Sequence, residues 1–129
     1  MNVLVVEDEE SVRRAIARNL EKRGNHVSEA RTVAWSAQVC ETDPPDVIVL
    51  DINLPDGTGW DVLRELEARH MPRPAVVVIS AVPPSRTRMA EFAPLVFLPK
   101  PFSIDALLRA VGNAVVGSRS HEKLDRTAI

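Results

Sequence analysis

Five short runs of mostly β-branched or apolar residues punctuate the chain: Asn2 to Val6, His26 to Glu29, Val47 to Leu50, Ala75 to Ile79 and Leu95 to Leu98. Each precedes a stretch that can be helical, and strands alternating with helices pair in parallel through right-handed crossovers. The first, third and fourth runs are apolar at successive positions, as strands covered by helices on both faces must be. The pattern predicts an α/β fold with a doubly wound parallel sheet. Val12, Ile16 and Leu20 share one face of a first helix that stops at Gly24, and Thr32 can cap a second. Trp60, Leu63 and Leu66 mark a third helix. In the last, Ile104, Leu107, Leu108, Val111 and Val115 form a stripe behind Ser103 as N-cap. Between these, Pro83 to Pro94 is bracketed by prolines and offers only Met89 and Phe92 at helical spacing, so a short or irregular helix is expected.

With 129 residues, 45% of them hydrophobic, there is room for one domain with a real core, expected over residues 1–117. The polar stretch Ser118 to Ile129 has no periodicity and reads as a tail or linker. Sixteen Lys and Arg against 18 Asp and Glu give a net charge of -2, which argues against binding to nucleic acid or a membrane surface and for proteins or small ions as partners. The lone Cys40 shares a helical stripe with Val33 and Ala37 and reads as a small core residue. The N-terminal apolar run meets acids too soon for a signal peptide, and no run approaches a membrane span, so the cytoplasm is the expected location.

Doubly wound sheets bind ligands beyond the carboxyl ends of their strands. Here the first strand ends in Glu7 and Asp8, the third in Asp51, the fourth in Ser80 and the fifth in Pro99-Lys100-Pro101. If the first and third strands are neighbours, about 4.8 Å apart, three carboxylates collect where they cannot all stay ionised without a cation. An all-oxygen cluster of this kind suits Mg2+. Lys100 adds a compact positive charge and Ser80 a hydroxyl. Taken singly, Glu7-Asp8 could serve the next helix as first-turn charges, Asp51 could end a strand, Ser80 could be an ordinary hydroxyl and Lys100 a solvated loop residue. Four strand ends carrying what one phosphoryl-transfer site needs favour the site.

These residues resemble the receiver domains of two-component response regulators. The segments "LVVEDEE" (Leu4 to Glu10), "VIVLDINLPDGTG" (Val47 to Gly59), "VISA" (Val78 to Ala81) and "FLPKPF" (Phe97 to Phe102) match that family's motifs in order. The resemblance implies a flavodoxin-like five-stranded parallel sheet of order 2-1-3-4-5 and a phosphoryl group accepted, with Mg2+, from a sensor histidine kinase or phosphotransfer protein. It implies Asp51 as phosphoacceptor, Glu7, Asp8, Asp51 and the Asn53 carbonyl around the metal, and Ser80 and Lys100 as contacts of the phosphoryl group. Ser80 and Phe97 fall where switch residues sit, with a core role for Phe97 equally open, and Lys100-Pro101 matches a cis peptide. The implied partners are the kinase and a downstream protein target, with a homodimer through the fourth helix, fifth strand and fifth helix as a further expectation.

The chain departs from the family at "FAPLV" (Phe92 to Val96), which replaces the usual Gly-Ala-Asp, and at Val82, whose apolar side chain predicts slow hydrolysis of the phosphorylated form. Trp60 is expected as a partly buried cover of the core, and His26, His70 and His121 have no ligand-like spacing. Two other functions stay open. One is a phosphate-independent interaction module on the same fold. The other is an aspartyl-phosphate phosphohydrolase resembling the haloacid dehalogenase group, disfavoured because Asn53 stands where the second aspartate would be.

Overall fold

A computed structural model describes residues 1–114; Val115, His121 and the expected tail lie outside the described residues. The main sheet contains β1 (Asn2–Val6), β2 (His26–Ala30), β3 (Val47–Asp51), β6 (Ala75–Ser80) and β7 (Val96–Pro99). A small antiparallel hairpin, β4 (Asn53–Leu54) and β5 (Gly57–Thr58), falls between β3 and the next helix. The five-stranded sheet has the order β2-β1-β3-β6-β7 with every pair parallel, the expected 2-1-3-4-5 once the two hairpin strands are left out of the count. The helices are α1 (Glu10–Lys22), α2 (Val33–Thr42), α3 (Gly59–Ala68), α4 (Arg86–Phe92) and α5 over residues 104–114.

The strands' side-chain alternation divides the core into two. Leu4, Val6, Ile48, Leu50, Val76 and Val78 face α2, α3 and α4, where Cys40, Leu63, Leu66 and Phe92 meet them. Val3, Val5, Val47, Val49, Val77 and Ile79 face Ile16 and Leu20 of α1 and Leu107 and Val111 of α5. The three central strands are therefore covered on both faces, and Glu7, Asp51 and Ser80 gather at their carboxyl ends.

The expected caps form. Thr32 Oγ1 accepts from the Trp35 N–H at 3.0 Å and Ser103 Oγ from the Ala106 N–H at 3.1 Å. Gly24, at φ 88°, ends α1: its N–H donates to the Glu21 carbonyl and that of Asn25 to the Leu20 carbonyl, the paired bonds of a left-handed helix stop. The seven-residue α4 is as short as its prolines predict, capped by Ser85 and ended by Ala93 in the left-handed region just before Pro94.

Two expectations are corrected. The last strand begins at Val96 rather than Leu95. The Leu95 N–H donates to the Val76 carbonyl, but its side chain stays exposed after Pro94 has redirected the chain. Trp60 is buried rather than a partial cover, stacked on Phe92 with ring centroids 5.1 Å apart and planes 12° from parallel.

Candidate functional site at the carboxyl ends of the strands

Parallel pairing brings the ends of β1, β3, β6 and β7 to one edge, and the sequence places a polar group at each. Glu7 follows β1, and its N–H donates to the Ala30 carbonyl at 3.0 Å, so the loop leaves the sheet still tied to β2. Its side chain is fully buried. Asp51 closes β3 opposite Ile79 and is also buried. Asp8 is exposed at the rim.

Lys100 joins these groups. Its Nζ lies 2.7 Å from Glu7 Oε1 and 3.0 Å from Asp51 Oδ2, while its backbone N–H donates to the Ser80 carbonyl at 2.9 Å. The Lys100-Pro101 peptide is cis, as the motif implied. Carboxylate oxygens of Glu7, Asp8 and Asp51 all come within 4.8 Å of one another. Glu7 Oε2 is buried without a hydrogen-bond partner.

That orphaned oxygen tests whether a cation belongs here. A buried carboxylate oxygen that no protein group donates to is suited to a proton, a water or a metal. Burial first, then the neighbouring Asp51 carboxylate, push Glu7 up to about 8 against the opposing pull of Lys100. Burial therefore favours the protonated form of Glu7, and a bound cation would oppose it. Burial pulls Lys100 down, yet its bonds to Glu7 and Asp51 outweigh that and hold the ammonium above its ordinary value. The donor set is all oxygen and suits a hard divalent ion such as Mg2+, which would replace the proton.

The remaining sequence-predicted residues lie around this core. The Asn53 N–H donates to Asp51 Oδ1 at 3.3 Å across the start of the hairpin. Ser80 is buried at the end of β6, but its hydroxyl turns to accept the Val82 N–H at 3.2 Å and is joined to Lys100 only through the backbone. Phe97, partly buried, packs with the cluster that holds Trp60 and Phe92, whereas its neighbours Val96 and Leu98 pack on the opposite face. Val82 is 65% exposed, and its side chain carries no polar atom.

Three supporting residues escaped the reading of the sequence. Asp56, at the tip of the hairpin, accepts from the N–H groups of Val33 at 2.8 Å and Ala34 at 3.1 Å, capping α2 from outside that helix. Gly59 lies so close to the Asp51 carbonyl that an added Cβ would sit 2.5 Å from it. Arg13 donates to the Glu7 carbonyl at 3.1 Å. Only the Thr58-x-x-Asp61 spacing, which forms a reciprocal capping box at the start of α3, carries a local signal for this support.

The family model described as "Response regulator receiver domain" matches residues 3–112. The chain belongs to the response regulator receiver domain family. It is 38% identical over 108 residues to the KDP operon transcriptional regulatory protein KdpE of Escherichia coli, covering 82% of this chain and 47% of that protein. The transcriptional regulatory protein KdpE of Mycobacterium tuberculosis is 34% identical over 129 residues, covering 98% of this chain and 56% of the relative. The chain thus spans about half the length of these curated relatives. Among solved structures, the Francisella response regulator 1452 receiver domain superposes with a TM-score of 0.78 at 27% identity, covering 91% of this chain and 98% of that one. As a receiver domain, the protein has a role in two-component signalling. Receiver domains generally bind Mg2+, interact with histidine kinases and downstream effectors, and are not themselves enzymes in the usual sense. Among the described residues, no helix is long and apolar enough to cross a membrane.

Proposed function

We propose that Asp51 accepts a phosphoryl group from the phosphohistidine of a sensor histidine kinase or phosphotransfer protein. A carboxylate oxygen of Asp51 attacks phosphorus, the phosphorus–nitrogen bond breaks, and the imidazole leaves with the electron pair. The product is an acyl phosphate on Asp51 and a free histidine on the donor. The observation that carries this reading is Lys100 Nζ held between two buried carboxylates, Glu7 and Asp51. Phosphoryl transfer asks mainly for positioning and charge neutralisation. Lys100, held by Glu7, is placed to meet a phosphoryl oxygen. Mg2+, when bound by Glu7, Asp8, Asp51 and the Asn53 carbonyl, supplies further charge neutralisation on the transferring group.

Once the phosphoryl group is present, the Ser80 hydroxyl, which now accepts from the Val82 N–H, turns to donate to a phosphoryl oxygen. The β6–α4 loop moves with it, and Phe97, on the face shared with Phe92, repacks. The signal is then read at α4, β7 and α5 by a downstream protein or a second copy of the chain. In this reading residues 1–117 are the receiver domain and residues 118–129 a tail or linker, the protein acts in the cytoplasm, and this chain does not itself bind nucleic acid.

The test is intact mass after incubation with a small acyl phosphate, for the wild type and Asp51→Asn, with and without Mg2+. One phosphoryl adduct that requires both Asp51 and Mg2+ is expected. No adduct under any condition would overturn the reading in favour of phosphate-independent interaction.

A further inference from the structure

The loop that carries Glu7 and Asp8 has an unusual construction. Four acids run in succession from Glu7 to Glu10, and α1 begins behind Glu9 without a side-chain cap. Such a loop, with its charges repelling one another, should be poorly fixed, yet Glu7 must present its buried carboxylate in one direction. The restraint comes from the next turn of the helix.

The Arg13 side chain, only 13% exposed, turns back from α1. One guanidinium nitrogen donates to the Glu7 carbonyl at 3.1 Å while Nε meets Glu29 Oε1 of β2, also at 3.1 Å. The Glu7 residue is thereby held at three points: its N–H by the Ala30 carbonyl, its C=O by Arg13 and its Oε1 by Lys100. Oε2 alone is left without a partner. Glu29 also takes Arg14 at 2.7 Å through its other oxygen, so Arg13 is anchored to β2 by a carboxylate itself held from two sides. An arginine suits this task because its rigid fork can bridge a carbonyl and a carboxylate, whereas the single ammonium of lysine does not reproduce that geometry.

We propose that Arg13, anchored by Glu29, is a positioning residue for the metal-binding loop, fixing the Glu7 backbone so that its free carboxylate oxygen faces the cation. The inference rests on the reading of Glu7, Asp8 and Asp51 as metal ligands. Outer partners that orient metal ligands commonly contribute ten- to a hundredfold in affinity, here about tenfold because Lys100 and Ala30 remain.

Mg2+ binding measured by isothermal titration calorimetry on the whole chain tests this, with thermal melting of each variant to establish that it is folded. Arg13→Gln and Arg13→Lys should each weaken Mg2+ binding about tenfold. Arg14→Gln, which removes a Glu29 partner without touching Glu7, should stay within about twofold. The Mg2+ concentration for half-maximal phosphorylation by acyl phosphate should rise in parallel while the plateau rate is kept. Wild-type affinity in folded Arg13→Gln would overturn the inference and leave the metal reading standing. Full affinity in Arg13→Lys would assign the effect to charge and also overturn it. Absence of Mg2+ binding by the wild type would overturn the metal reading and the inference together. Should Arg13→Gln fail to fold, Arg13→Lys and Glu29→Gln decide, with weakened binding expected in both and wild-type affinity in either refuting the proposal.

Discussion

Replacing Gly59 by alanine tests the close approach of α3 to the end of the strand that carries Asp51. Gly59 opens α3, and its N–H donates to the Ile52 carbonyl at 2.8 Å. A Cβ there would lie 2.5 Å from the Asp51 carbonyl oxygen and 2.9 Å from Leu50 Cγ, where ordinary contact begins at 3.4 Å. The obstructing atom is backbone of β3, a strand paired on both sides, so it cannot swing away as a side-chain end would. Overpacking of this kind costs about 1–3 kcal/mol. Against it stands the gain from putting alanine into a helix, at most about 1 kcal/mol. The net expectation is a loss of about 1–2 kcal/mol, measured as a lower urea midpoint at unchanged slope. If strand rather than helix yields, Asp51 moves relative to Lys100 and phosphorylation by acyl phosphate slows by up to about a hundredfold. Gly112, exposed in α5 with nothing within 4 Å of its Cβ direction, is the matched control, and Gly112→Ala should stabilise by about 0.5–1 kcal/mol. Equal stability changes for the two substitutions would refute the steric argument.

The remaining expectations address charge, capping and packing. Glu7 is held up to about 8 in the fold against 4.5 for a free side chain, so between those values the folded state binds more protons and stability must fall as pH rises. Urea midpoints in chelator should decline from about pH 6 to about pH 8.5, with excess Mg2+ reducing the decline; a rise over that window would contradict the assignment. Asp56 lies below its usual range because the Val33 N–H, and after it that of Ala34, favour its charge, so its contribution is lost as pH falls through its depressed folded value. Asp56→Ala should cost about 1 kcal/mol and speed amide exchange at the start of α2, an effect absent if the cap is incidental. Phe92 is the only buried residue of α4, stacked on Trp60 and covered by the Arg64 guanidinium 5.2 Å from its ring centre. Phe92→Ala should cost about 3 kcal/mol and red-shift Trp60 emission, and an unchanged spectrum would mean that α4 docks otherwise.

Features that depend on local pattern could be read from the chain directly. Alternating runs specified the parallel sheet, Thr32, Ser103 and Gly24 specified helix ends, and the acids and lysine at the strand ends specified that Glu7, Asp8, Asp51 and Lys100 would meet. That much was legible because burial and capping depend on period and on neighbours a few residues away. The frame around the site was decided only by the tertiary structure. Asp56 caps a helix 23 residues earlier in the chain, Arg13 closes on the Glu7 carbonyl, Gly59 touches the Asp51 carbonyl, and Trp60 finds Phe92. Even the start of β7 moved by one residue, because its pairing with β6, Val96 opposite Val77, sets the register where apolar character alone would include Leu95. These contacts follow no spacing rule. They arise because packing leaves particular backbone groups needing a partner, and the residue that supplies one is whichever side chain the assembled layers bring within reach.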